Sequence, residues 1–571
     1  MTRLITRSLA QFGILIAAIF ILIWIADSRY RVLPEKIHNS LPLHYVGTVI
    51  TDITIKECSS LNPLSTCRLD PDQWHRVEKD LYLNLGWTRS SWLHIQRKKE
   101  EELTVKDKII IDLRVSKVDP GIGEKGHESE KWESRPGGIW VLRGNRRADS
   151  DPNRAITGVD VLFGADAVEP RQGWTLATTP LLIDTDPRLH PVRITTRHGH
   201  HAAARPSPPR VTKDGKFKIL QVSDMHLATG VGKCREAIDA SGAAIPNCEA
   251  DIKTLDFVES VLDSEQPDLV VLSGDQVEGP EAPDTQTAIL KYAAPLIERS
   301  IPYATIFGNH DDEGSKSLSR AAQMSLVETL PFSLSEAGPQ TLPGVGNYYV
   351  EVLAHSGQHS AITLYLLDSH GLSPDDKKYP GYDWIKPQQI DWFNATAESL
   401  KKSHNKYSHI HLDMAFIHIP LPEYAEADLL LAGGKRLESV TAPGFNTHFY
   451  DILSAAGVVA VGCGHDHVND YCALRKTPHL QAREPDAPET HAPAHHGKER
   501  LGPWMCYAGG SGFGGYGGYG GFHRRVRVWE IDTNAGRVTT WKRVECCGED
   551  TKKKIDELVI VEGGVVVAPG E

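Results

Sequence analysis

Five apolar runs in this chain each end in a residue type that binds metals. Tyr303 to Phe307 leads into Gly308-Asn309-His310-Asp311, which sets an amide, an imidazole and a carboxylate at one strand tip. Phe217 to Val222 delivers Asp224-Met225-His226, and Leu269 to Leu272 delivers Gly274-Asp275. His418 ends a run that begins at Met414, and Val458 to Val461 precedes Gly464-His465-Asp466-His467. Taken singly these residues say little. A lone aspartate after a strand is usually a turn former or a helix cap, and His418 within Phe416-Ile-His-Ile-Pro420 reads as a core histidine. An amide is a weak ligand, so Asn309 gains meaning only when carboxylates and imidazoles converge on it. All five elements at strand ends make coincidence the poorer explanation.

Strands alternate with helical patterns between residues 215 and 545, which predicts an α/β domain with its liganding loops at strand ends. A helix is expected near Ala250 to Ser264, with Leu255, Val258 and Leu262 on one face, and another between Thr285 and Glu298. Residues 37–190 hold short β-branched runs such as Ile109 to Leu113 and Val159 to Phe163, separated by Gly, Pro and Asp, as in a small antiparallel sandwich. Residues 191–214 read as a linker and 546–571 as a tail. The run Gly509 to Gly521 is not a phosphate loop of the Walker type, because no Lys-Ser/Thr follows it. It is either a surface loop or a segment passing close to the site, where only glycine permits the approach.

At 571 residues the chain is long enough for two or three domains. Its formal charge of −12 argues against nucleic acid as a partner, since such binders cluster Lys and Arg. Residues 8–26 carry no charge and amount to roughly 28 Å of helix, about one bilayer core. We read them as a single-pass membrane anchor. The alternative is a cleaved signal peptide, because Ala26-Asp27-Ser28 is a passable cleavage site. Cys58 with Cys67, and Cys234 with Cys248, have the spacing of small disulfide loops, which would place the soluble part in a lumen or outside the cell. The alternative is free thiols in a cytosolic protein.

Hydrolysis of a phosphate ester needs a strong nucleophile at neutral pH and neutralised phosphoryl oxygens, both of which a pair of cations provides. Carboxylate and imidazole are the ligand types for that task. The set Asp224-x-His226, Gly274-Asp275, Gly308-Asn-His-Asp311, His418 and Gly464-His-x-His467 resembles the calcineurin-like metallophosphoesterase superfamily. The resemblance implies a four-layer α/β/β/α sandwich with a dinuclear centre. It further implies that Asp224, His226 and His467 hold one ion, that Asn309, His418 and His465 hold the second, and that Asp275 bridges them. His310 matches the family's substrate-facing histidine, oriented by Asp311.

Purple acid phosphatases carry a tyrosine three residues after the bridging aspartate, and this chain has Glu278 there. They also lack a histidine at the place of His226. Two divalent ions (manganese, iron or zinc) therefore fit better than a tyrosinate–iron centre. More narrowly, the domain layout is similar to that of fungal phosphatases related to the dosage-dependent cell-cycle regulator, in the purple-acid-phosphatase-like branch. The expectation is a phosphomonoesterase, with a phosphoprotein as one candidate substrate, working by in-line attack of a metal-bridging hydroxide. The alternatives are a phosphodiesterase on a small diester and a non-catalytic, membrane-tethered scaffold.

Overall fold

The computed structural model describes residues 47–569, apart from 60–66, 85–87, 105, 123–130, 146–153, 184–188, 200–205, 405–409, 477–500, 519–520 and 547–551. The stretch read as an anchor, 8–26, lies outside the described residues. Among those described, no helix is long and apolar enough to cross a membrane.

The chain divides into two units. The first contains β1 (Thr48–Ser59), β2 (His75–Asp80), β3 (Arg89–Lys99), β4 (Lys108–Val115), β5 (Lys131–Arg135) and β6 (Ile139–Asn145). These make two antiparallel sheets, ordered β1-β3-β2 and β4-β6-β5. Val49 of β1 and Ile109 of β4 are buried together with Ala155, the small core expected of short alternating strands. Next come β7 (Ile156–Phe163), β8 (Trp174–Leu176) and β9 (Val192–His198), in a third sheet ordered β7-β9-β8. The sequence reading of 191–214 as linker is corrected here. Val192-Arg-Ile-Thr-Thr-Arg-His198 is rich in β-branched residues and pairs as a strand.

The second unit is built on two seven-stranded sheets. The first begins with β10 (Lys216–Val222), α1 (Ala250–Glu265), β11 (Leu269–Ser273), α2 (Thr285–Glu298) and β12 (Tyr303–Ile306), followed by α3 (Arg320–Val327). The other sheet comes from β13 (Tyr348–Leu353), β14 (Ser360–Leu366), β15 (Leu412–Phe416), β16 (Leu429–Ala432), β17 (Val458–Cys463), β18 (Cys472–Arg475) and β19 (Trp504–Tyr507). Helices α4 (Pro387–His404) and α5 (Phe449–Ala456) interrupt that series. The chain then returns to the first sheet as β20 (Arg525–Asp532), β21 (Arg537–Val544), β22 (Ile555–Glu562) and β23 (Val565–Val566). The strand orders are β12-β11-β10-β20-β21-β22-β23 and β13-β14-β15-β17-β19-β18-β16.

Alternation along the strands explains the layering. Phe217, Ile219, Leu269 and Val271 face inward and share one core with Ile362, Leu364, Met414 and Phe416 of the other sheet. Their neighbours Leu220, Val222, Val270 and Leu272 point the opposite way, onto Phe257, Val261 and Leu262 of α1 and Ile289 and Ala293 of α2. On the far side, Tyr365, Ala415 and Val461 pack with Phe393 of α4 and with Phe449 and Leu453 of α5. A strand buried on both faces reads as a near-continuous apolar run, as Leu269 to Leu272 of β11 does, whereas β10 also carries Lys216, Lys218 and Gln221. The result is helix, sheet, sheet, helix, as expected.

The segment read as a tail, 546–571, is also corrected. Ile555–Glu562 extends the first sheet as β22, and Val561 and Ile560 are buried in the inter-sheet core.

Candidate metal centre

β10, β11 and β12 run parallel to one another, as do β15 and β17. Parallel strands finish at the same edge, so the loops after them assemble one site. Two donor groups form there. Asp224, His226 and His467 make one, Asp275, His418 and His465 the other, and within each the ligating atoms lie within 4.8 Å of one another. All six side chains are buried. The backbone departs from regular strand to achieve this. Asp224, His226, Asp275 and His465 have φ of 56°, 49°, 53° and 78°, a left-handed conformation that costs roughly 1–3 kcal/mol per non-glycine residue and persists where the surroundings enforce it.

The hydrogen bonds show which ring nitrogens are left for a cation. His226 Nδ1 lies 2.5 Å from Glu278 Oε2, and His467 Nδ1 donates to the Tyr516 carbonyl at 2.8 Å. Their Nε2 atoms then face each other at 3.1 Å, two lone pairs pointing into one space. His418 Nδ1 donates to the Ser273 carbonyl at 2.9 Å, which frees its Nε2. That Nε2, His465 Nε2 and Asn309 Oδ1 are buried and lack any hydrogen-bond partner. Buried polar atoms are normally satisfied. These three orphans, with the two facing imidazole nitrogens and the carboxylates of Asp224 and Asp275, fit divalent cations.

Asp275 sits between the groups. Its Oδ1 accepts the His310 backbone N–H at 2.7 Å, and its Oδ2 lies 3.1 Å from His418 Nε2 and 3.9 Å from His226 Nε2. Burial would raise its pKa, yet His418, His226 and His310 hold it well below the usual carboxylate range. On His418 burial is likewise overcome, and Asp275 and Asp224 push its pKa up to about 9. Burial, aided by His418, drives His465 down to about 3.

Asp311 has a different part from the one the resemblance implied. Its carboxylate accepts the backbone N–H groups of Asp275 and Val277, both at 2.9 Å, and of Gly308 at 2.7 Å. It clamps two ligand loops together and does not contact the His310 ring. The carboxylate paired with His310 Nδ1 belongs to Glu313. His310 itself is about one-third exposed at the mouth of the site, with its ring 5.3 Å from that of His226. Arg320 steadies the same loop by donating to the Gly308 carbonyl at 2.6 Å.

Two further parts escaped the sequence reading. Glu278 binds His226 through one oxygen and Arg235 through the other, at 3.3 Å. Carboxylate partners of this kind fix the tautomer and raise the basicity of a metal-ligating histidine. Replacing Glu278 by glutamine is expected to weaken metal affinity about 10- to 100-fold, measured by titration of the apoprotein with Mn²⁺ or Zn²⁺. An unchanged affinity would show that Glu278 only pairs with Arg235.

The glycine-rich run supplies the second part. Gly510 and Gly512 donate to the carbonyls of His467 and Asp224, both at 2.9 Å. A Cβ at Gly512 would stand 1.8 Å from the Met225 carbonyl oxygen, and one at Gly515 would stand 2.4 Å from His467. Tyr516 stacks on His467 with ring centroids 3.9 Å apart. Of the two readings of this run, close approach to the site is the one the structure bears out.

Residues 217–469 match the family model described as calcineurin-like phosphoesterase. Phosphatase DCR2 of Saccharomyces cerevisiae is 38% identical over 406 residues, an alignment covering 68% of this chain and 64% of that protein. An uncharacterized protein of Schizosaccharomyces pombe is 30% identical over 572 residues, covering 98% of this chain and 99% of the relative. "Probable inactive purple acid phosphatase 14" of Arabidopsis thaliana is 36% identical over 361 residues, covering 59% and 82%. Among solved structures, purple acid phosphatase PPD1 from yellow lupin seeds matches at 12% identity with a TM-score of 0.36, over 76% of this chain and 68% of that one. That likeness is too slight to carry an argument. The chain belongs to the calcineurin-like phosphoesterase family.

Proposed function

We propose that this chain is a phosphomonoesterase that uses two divalent cations, manganese, iron or zinc. Asp224, His226 and His467 would hold one, Asn309, His418 and His465 the other, and Asp275 would serve both. The observation that carries the reading is the pair of buried donor groups with Asp275 Oδ2 between them, beside a histidine about one-third exposed. When bound, the cations supply an activated water and neutralise phosphoryl charge. The chain's own residues do the rest. His310, its Nδ1 occupied by Glu313, presents Nε2 to the substrate and gives a proton to the leaving oxygen. Asp311 and Arg320 keep the loops in register. A phosphate monoester, with a phosphoprotein as one candidate, is the substrate class we propose, because the yeast relative is named a phosphatase and the net charge disfavours nucleic acid.

The test is metal analysis of the purified protein together with assays on p-nitrophenyl phosphate and its bis ester. Hydrolysis of the monoester at two ions per chain is the expected result. Preference for the bis ester would move the assignment to a phosphodiesterase, and a fully metallated but inert protein would make it a scaffold.

We further propose that residues 8–26 tether the protein to a membrane with its soluble part on an oxidising side. The tether rests on the sequence alone. The side is supported by the disulfides Cys58–Cys67, Cys234–Cys248 and Cys472–Cys506 among the described residues, the last unforeseen from the sequence. Cys463 is free and buried. Asn394, in the sequon Asn394-Ala-Thr396, is exposed on α4, so glycosidase sensitivity at this site checks the topology.

A further inference from the structure

Tyr382 lies on the loop between β14 and α4, next to the metal centre, and nothing in the family motifs accounts for it. The loop is held in place. Leu372 and Tyr382 form an antiparallel bridge, and Asp383 donates its N–H to the Gly371 carbonyl at 2.9 Å. The adjacent Trp384 packs against Tyr379 and Phe445, with centroids 5.0 and 4.9 Å away. The Tyr382 ring meets the His465 ring edge-on, with centroids 4.3 Å apart and planes at 87°. Its position is therefore fixed by packing on a metal ligand.

The ring is half-buried, yet its hydroxyl makes no hydrogen bond among the described residues. The hydroxyl oxygen is also absent from the sealed, unsatisfied atoms of the interior, so it reaches open space. Its contact with His465 sets the ring at the edge of the donor group of Asp275, His418 and His465. The O–H is thus held rigidly and left without a partner among the described residues at the edge of the site. Phosphoryl oxygens close to two cations, in contrast, need donors that lie in place before the charge develops.

We propose that the Tyr382 hydroxyl donates a hydrogen bond to a non-bridging oxygen of the bound phosphoryl group. This rests on the phosphatase reading above, and it adds a substrate-binding donor on the His465 side of the site. The ring keeps the loop seated on His465, while the hydroxyl discriminates a tetrahedral oxyanion from water.

The experiment compares the metal-loaded full chain with Tyr382→Phe, which keeps the ring and removes only the oxygen. Three quantities are read: metal content, orthophosphate affinity by calorimetry, and kcat/KM on p-nitrophenyl phosphate. The expected result is unchanged metal content, with orthophosphate affinity and kcat/KM each lower by about 10- to 100-fold, the range for losing one hydrogen bond to a charged group. Unchanged phosphate affinity in a metal-replete variant overturns the proposal. Loss of metal overturns it as well, because the hydroxyl would then serve His465. If the unaltered protein hydrolyses no ester, the phosphatase reading fails, and the phosphate titration still decides the role of Tyr382.

Discussion

Replacing Asp275 by alanine is expected to strip the protein of both cations and reduce phosphatase activity to background. The carboxylate faces both donor sets, with Oδ2 3.1 Å from His418 Nε2 and 3.9 Å from His226 Nε2. Without it, His418, His465 and Asn309 are three neutral donors, a poor set for a divalent ion that favours carboxylate. The second oxygen matters too, because it accepts the His310 N–H at 2.7 Å and so ties the β12 loop to the β11 loop. Asp275→Asn keeps the shape and much of that bond but removes the negative charge. Both variants should therefore lose metal, and the asparagine form should stay the better folded. Elemental analysis of the purified variants is the measurement. Two ions retained at full occupancy would refute the bridging role.

His310→Ala should behave in the opposite way, losing turnover by about 10²–10⁴-fold while keeping its metal. The structure explains the separation. The tie to Asp275 runs through the backbone N–H of residue 310, which alanine preserves, whereas the imidazole is about one-third exposed and bound through Nδ1 to Glu313. A side chain that acts only on the reacting group lowers kcat and kcat/KM together. Steady-state kinetics on p-nitrophenyl phosphate, with metal content measured on the same sample, checks this. Unchanged turnover in a metal-replete variant would remove His310 from the chemistry. Glu313→Gln should show a smaller loss of the same kind, and Asp311→Asn should instead loosen metal binding, since Asp311 holds the Asp275, Val277 and Gly308 backbone.

The names of the Arabidopsis relatives call those proteins inactive. In this chain both donor groups are complete and His310 is in place, the condition for the two variants above to give separable results.

How much of this was written in the order of residues can be argued case by case. The seven ligand candidates were legible because each is a local event, an apolar run that stops at a carboxylate, amide or imidazole. The layering was legible for the same reason, since Leu220 and Val222 alternate with Phe217 and Ile219 in the sequence as they do between two cores. What stayed hidden depends on distance in space. The family resemblance pointed to Asp311 as the partner of His310, but the loop turns so that Glu313 reaches the ring and Asp311 faces the backbone. Glu278 as the partner of His226, the Tyr516 stack on His467, the Cys472–Cys506 bridge and the return of residues 525–566 to the first sheet all join segments far apart in the chain. Sequence alone determined which chemistry the strand ends can carry, because a side chain's donor type is set by its identity. Only the tertiary structure decided which groups orient those donors, because a hydrogen bond depends on where two atoms finally lie.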